Sequence, residues 1–149
     1  MLIGIDPLLG PELLHALCAM GHGDEVAIVD ANFPAASMGT RVVEARGANS
    51  TAMLHAILSV LPIEAYVVPA VFTMEVVGDP RAVPPPVAEF AATMNEHGLG
   101  DCEIGRLERT AFYARARGAF VIVRTGDMRP YGNVLLVKGV VNREPARAR

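Results

Sequence analysis

His22 stands between two glycines in "MGHGDEVAIVDANFP", residues 20–34. The run that follows, Glu25 to Val29, reads as a buried strand and stops on Asp30, ahead of Asn32-Phe33-Pro34. Flanking glycines leave an imidazole on open backbone. With an ordinary pKa of about 6.5, such a group can give and take protons near neutrality. An acid at a strand end marks a surface or a cleft. Two later stretches add donors and acceptors: Arg109, which opens a helical segment, and Tyr131-Gly132-Asn133, just before the last apolar run. Each has an ordinary reading as well. His22 fits a helix-to-strand turn, Asp30 a strand-terminating turn former, Arg109 a surface residue of a first turn, and Tyr131-Gly132-Asn133 a tight turn in which Gly and Asn tolerate positive φ. As a set they are harder to set aside, because several fall at the mouths of the expected sheet, where α/β proteins collect ligands.

The elements that must position these groups follow from periodicity and punctuation. "GPELLHALCAM" predicts a helix with Gly10 as N-cap, Pro11 at its first position and Gly21 at C′, and with Leu13, Leu14, Leu17 and Met20 along one stripe. On this reading Cys18 is an inert core thiol. "EVAIVD" does not alternate, so it predicts a strand covered on both faces. "TRVVEA" is a second strand. "STAMLHAILSVL" is a helix capped by Ser50, and "AYVVPAVFTMEVV" an extended segment interrupted at Pro69. A helix over 87–97, a strand in "GDCEIGRLER", a helix in "RTAFYARARG", a strand in "AFVIVRTG", the turn "DMRPYGN" and the strand "VLLVKGVV" complete the pattern. Strands alternating with helices predict an α/β fold, a single domain with a mainly parallel sheet flanked by helices, over residues 1–141. The polar, basic residues 142–149 predict a disordered tail. The three prolines 84–86 form too short a run to separate domains.

Composition narrows the function classes. The chain has 149 residues, enough for one core, and a formal charge of −3 that offers no basic face for nucleic acid. Its 52% hydrophobic content, with only 19% charged residues, points to buried subunit interfaces, since a small monomer has little volume to hide such an excess. The longest apolar region, 53–77, is broken by Pro62, Glu64, Pro69 and Glu75, so no membrane span is expected. No signal peptide is expected from "MLIGIDPLLG", and the two separated cysteines suit a reducing compartment, so the expected location is the cytoplasm. Gly21 and Gly23 follow a helix and precede a strand, the reverse of a dinucleotide-binding fingerprint, and no Walker-type loop exists. The four histidines show no metal-ligand spacing, and there is no nucleophile elbow.

The residues singled out above also carry a resemblance. "GIDPLLGPELLHALCAMGHGDEVAIVDANFPAASMG", "RTAFYARA" and "YGNVLLVKGV" together resemble the fucose mutarotase branch of the ribose pyranase/fucose mutarotase family, from Leu2 to Val140. The resemblance implies an α/β subunit, usually assembled into a decamer, that interconverts the anomers of a reducing sugar such as L-fucose. It implies no cofactor and no metal. Carried over residue by residue, it makes His22 the catalytic acid/base and assigns substrate binding to Asp30, Arg109, Tyr131, Gly132 and Asn133. Loss of Tyr131 or Asn133 is then expected to weaken sugar binding more than the fold. The implied partners are a monosaccharide and further copies of the chain. The neighbouring readings are a ribose pyranase, which exchanges pyranose and furanose rings, and a sugar-binding subunit without catalysis. "RTAFY" and "YGN" favour the fucose branch, and a pure binder has no need of the proton shuttle that His22 offers.

Overall fold

The computed structural model describes residues 2–38 and 41–141, so the expected disordered tail, 142–149, lies outside the described residues. The elements are α1 (Pro11–Ala19), β1 (Glu25–Val29), a 3-10 turn (Ala35–Met38), β2 (Val42–Ala45), α2 (Ser50–Leu58), β3 (Val71–Met74), α3 (Pro85–Glu96), β4 (Ile104–Leu107), α4 (Arg109–Arg117), β5 (Val121–Thr125) and β6 (Val134–Val137). One six-stranded sheet runs in the order β2-β5-β1-β6-β3-β4. β1, β2 and β5 are mutually parallel, as are β3 and β4; β6 lies between β1 and β3, antiparallel to both. The sheet is thus mainly parallel, as the alternation of elements predicts. β6 is the exception because the 126–133 connection from β5 is short and contains no helix; a parallel return needs a crossover of roughly a dozen residues or more.

Both faces of the sheet are covered, which explains the unbroken apolar strand. Val26 and Ile28 of β1 pack with Leu13 and Leu17 of α1, Leu54 and Ile57 of α2, and Phe90 of α3. Ala27 and Val29 point the other way, into a second cluster with Phe33, Phe72, Ile122, Leu135 and Phe112 of α4. Val26, Ala27, Ile28 and Val29 have no exposed surface. At about 1.5–3 kcal/mol per buried aliphatic side chain, these two layers dominate the energy that holds the strand ends in place.

Local details depart from the sequence reading. The cap of α2 is Asn49, whose Oδ1 accepts the Ala52 N–H at 2.8 Å; Ser50 is the first helical residue. α1 ends without a left-handed glycine: Met20 is the C-cap in extended conformation, and the positive φ of +85° falls at Gly23, beyond His22. Cys18 is exposed, one position off the buried stripe of Leu13, Ala16 and Leu17, and not in the core. The extended segment from 65 contracts to Val71–Met74, and residues 66–68 lie exposed ahead of the cis Val68–Pro69 bond.

Candidate functional site

Asp30 follows β1 and is almost wholly buried. Its carboxylate is held by the chain around it. Oδ1 accepts the Asn32 N–H at 2.9 Å, closing a turn of the kind Asp forms with a backbone donor two residues on. Oδ2 accepts Nδ2 of Asn133 at 2.8 Å, while Asn133 Oδ1 accepts the Asp30 N–H at 3.0 Å. This reciprocal lock exists because β6 lies directly beside β1, with Ile28 opposite Val134. Burial pushes the Asp30 carboxyl above its ordinary pKa, and the Asn32 and Asn133 donors oppose that shift.

The turn before β6 is built on a buried carboxylate. Asp127 accepts the Ser50 N–H at 3.1 Å and the Ser50 hydroxyl at 2.7 Å, joining the turn to the start of α2. It also takes the Arg129 N–H and both Nε and Nη2 of that guanidinium, at 2.9–3.0 Å. Arg129 Nη1 reaches on to Glu89 of α3 at 2.6 Å. Gly132 passes so close to α2 that a Cβ there would sit 2.9 Å from Ser50 Oγ and 3.4 Å from Asp30 Cβ. The residue with positive φ is Tyr131, at 64°, and neither Gly132 nor Asn133. A non-glycine residue in this region stores strain, a feature that gathers at ligand sites. The Tyr131 hydroxyl accepts the Val77 N–H at 3.1 Å, which leaves its own hydrogen to donate elsewhere.

Asp30, Asn133, Tyr131 and Arg109 converge on one cleft of about 230 Å³, with Phe33, Met74, Val77 and Tyr113 among its apolar walls. Phe33 is wedged edge-on against Tyr113, with centroids 5.2 Å apart, and against Phe112 at 6.1 Å. The cleft lies at or below the small end of the roughly 300–1,000 Å³ common for ligand pockets. A hollow of 370 Å³ beside α1 and β2 is larger, but its only polar lining side chains are two like-charged acids, Glu12 and Glu44, without a donor side chain in the lining. Polar groups on one side and aromatic edges on the other can grip a small polyol, which has hydroxyls on its rim and C–H bonds on its faces.

His22 does not join this cleft within one subunit. It precedes β1 while Asp30 follows it, and at about 3.3 Å per residue the strand alone separates them by about 15 Å. The imidazole is half exposed and is paired through Nε2 with Oε2 of Glu64, whose side chain is 2% exposed. The Tyr66 amide first, and then His22, hold the Glu64 carboxyl below the ordinary glutamate range. The sequence reading did not single out Glu64 as the partner of His22. Its signal was an acid inside the longest apolar region, which also contains Glu75. Nor did that reading single out Asp127, which reads as an ordinary turn aspartate. The structure also pairs two histidines distant in sequence, His55 Nδ1 and His97 Nε2, at 3.0 Å on the outside of α2 and α3. Among the described residues there is no group of three or more metal-type side chains, and no helix is long and apolar enough to cross a membrane.

The domain is thus a mainly parallel α/β fold with a small cleft at the end of a central strand. The chain belongs to the RbsD / FucU transport protein family, whose profile matches residues 3–141. Its backbone is similar to the fucose mutarotase of Streptococcus pneumoniae, solved with L-fucose: 37% identity, TM-score 0.89, covering 95% of this chain and 100% of that one. FucU from Bifidobacterium longum is 41% identical, with TM-score 0.87 and coverage of 93% and 99%. RbsD of Bacillus subtilis, solved with D-ribose, shares the fold at 21% identity and TM-score 0.72, covering 90% of this chain and 95% of that one.

The double bond between Asn133 and Asp30 alters what loss of Asn133 should do. Asn133→Ala leaves a buried N–H and one carboxylate oxygen without their partner. The expected stability loss is about 1–3 kcal/mol, measured by urea unfolding, alongside weakened ligand binding. Unchanged unfolding would mean that water replaces the amide at no cost.

Proposed function

We propose that the protein is a sugar mutarotase that interconverts the α and β anomers of L-fucose or a closely similar reducing monosaccharide. Anomer exchange opens a cyclic hemiacetal. The anomeric hydroxyl gives its proton to a base, which returns a proton to the ring oxygen as that oxygen leaves the anomeric carbon; the free aldehyde end rotates and recloses from its other face. Proton transfer and positioning suffice for these steps, a task suited to histidine. In this reading His22 is the acid/base. Asp30, locked by Asn133, accepts sugar hydroxyls; Arg109 and the free hydrogen of Tyr131 donate to them; Gly132 provides the close backbone. The observation that carries the proposal is the convergence of Asp30, Arg109, Tyr131 and Asn133 on one small cleft with aromatic and aliphatic walls. Met74, Val77 and Phe33 favour a sugar with a methyl group over one with a further hydroxyl, which supports a 6-deoxy sugar ahead of its 6-hydroxy counterpart.

Because His22 and Asp30 bracket the same strand, the reading also requires subunits to meet, with the His22 end of one against the cleft of another. A homo-oligomer, a decamer on the family resemblance, supplies that meeting. The exposed Tyr66, Val67 and Val68 beside Glu64 offer apolar surface for it. Saturation transfer between the anomeric protons of L-fucose tests the activity, with D-ribose as the competing substrate. Accelerated exchange of fucose is expected. Binding without exchange would leave a sugar-binding subunit, and faster ribose ring interconversion would favour the pyranase. Co-assembled His22→Ala and Arg109→Ala subunits should regain part of the activity that each lacks alone. No regain, or a monomeric mass by light scattering, would remove the shared site.

A further inference from the structure

Glu64 is a buried acid that no step above uses, and it touches the side chain on which those steps depend. Its carboxylate has two partners. Oε1 accepts the Tyr66 N–H, and Oε2 meets Nε2 of His22. The segments carrying the two residues are pinned to the same end of β6. On one side the Gly23 N–H donates to the Lys138 carbonyl at 2.9 Å, and the Lys138 N–H donates to the Asp24 carbonyl at 2.8 Å. On the other, the Glu64 N–H donates to the Val137 carbonyl at 3.0 Å, and Ile63 bridges to Lys138. Lys138 Nζ also donates to the carbonyls of Leu17 and Met20 at the end of α1, at 3.0 and 2.6 Å, which fixes the approach to the His22 turn. A side chain on a glycine-flanked turn would otherwise sample several rotamers. Here a nearly unexposed carboxylate, itself held by a backbone amide, selects one.

We propose that Glu64 is a positioning residue for His22: it takes the Nε2–H of the imidazole, fixes that tautomer and ring orientation, and leaves Nδ1 as the nitrogen that exchanges a proton with the sugar. The inference rests on the mutarotase reading and deepens it. Which ring nitrogen carries the proton is set by the bond that the other makes, and a fixed carboxylate also stabilises the imidazolium formed as His22 accepts a proton. No proton needs to reach Glu64 itself. The reaction proton enters and leaves at Nδ1, and the Glu64 carboxylate stays ionised throughout. The Tyr66 amide supports this, since it favours the charged carboxylate independently of His22.

The test uses the full assembled protein, with ring-nitrogen-labelled histidine NMR and fucose anomer exchange measured together. In the wild type, His22 is expected as the Nε2–H tautomer with a strongly downfield ring proton, and Glu64→Ala should abolish that signal. Glu64→Gln should lower kcat at least about 10- to 100-fold, the loss found when the partner that orients a metal-ligating histidine is removed, and up to about 10⁴-fold, as for the carboxylate-to-amide change in a Ser-His-Asp triad, with KM little changed. In a His22→Ala background the Glu64→Gln change should cost nothing further, which a merely structural role would not produce. A wild-type spectrum with His22 protonated on Nδ1 alone would overturn the proposal even if the variants fail to fold. So would wild-type kcat in Glu64→Gln. The two levels separate cleanly: full exchange in His22→Ala would overturn the mutarotase assignment of His22, whereas a dead His22→Ala beside an unimpaired Glu64→Gln would overturn only the role of Glu64.

Discussion

His22→Ala is expected to slow fucose anomer exchange by about 10²–10⁴-fold, the range that general acid/base groups contribute, with little change in secondary structure or assembly. The expectation of an intact fold comes from what holds the turn. Backbone bonds to Lys138 and the Asp24 carboxylate, which accepts the Gly21 N–H at 2.7 Å, fix residues 21–24 without help from the imidazole. The side chain is 54% exposed, so its removal leaves no core cavity. Glu64 loses one partner and keeps the Tyr66 amide. Near-wild-type exchange in a variant with normal circular dichroism would remove His22 from the mechanism.

Asp127→Ala should be the most damaging loss of a polar side chain outside the proposed sugar contacts, costing about 3 kcal/mol of stability. That is the low end for breaking a buried ion pair, chosen because Arg129 is 37% exposed and partly solvated. The variant strips a partner from the Ser50 N–H at the start of α2 and releases Arg129 from the turn that presents Tyr131. Sugar binding should weaken in parallel. Thermal and urea unfolding measure the first effect, and fucose titration the second; a loss below about 1 kcal/mol would place this network among the weak surface pairs. The pH dependence has a definite sign. The Arg129 guanidinium, and then Ser50, hold the Asp127 carboxyl well below the usual aspartate range. Its contribution is therefore fully present above the unfolded value of about 3.9 and is lost only as pH falls through the lower folded value. The stability gap between wild type and variant should stay constant from pH 7 to about pH 4 and close in stronger acid. Asp30 runs the other way. Its carboxyl is raised by burial, so its contribution is present in acid and lost as pH rises through the folded value.

The alternating elements, the doubly covered β1 and the helix start at Gly10-Pro11 were legible in the amino-acid sequence because they depend on neighbours a few residues away. So were Asp30, Arg109, Tyr131 and Asn133, as polar residues at strand and loop ends that the structure brings to one cleft. Their arrangement was not legible, because it depends on the position of β6. Asn133 bonds to Asp30 across 103 positions of chain, and no spacing rule links them; antiparallel insertion of β6 beside β1 makes them neighbours. The same strand carries Lys138 to the opposite end of the sheet, where it anchors the His22 turn. Glu64 reads as an interruption in an apolar run, and only folding across 42 positions brings it to His22. The capping of α2 by Asn49, one residue before the expected Ser50, shows the same limit at short range: Ser50 is drawn instead to Asp127, 77 positions away. Local propensity and burial set the elements, while which polar groups meet was decided by the order of strands in the sheet, since a buried donor or acceptor must find whatever partner the packing brings within reach.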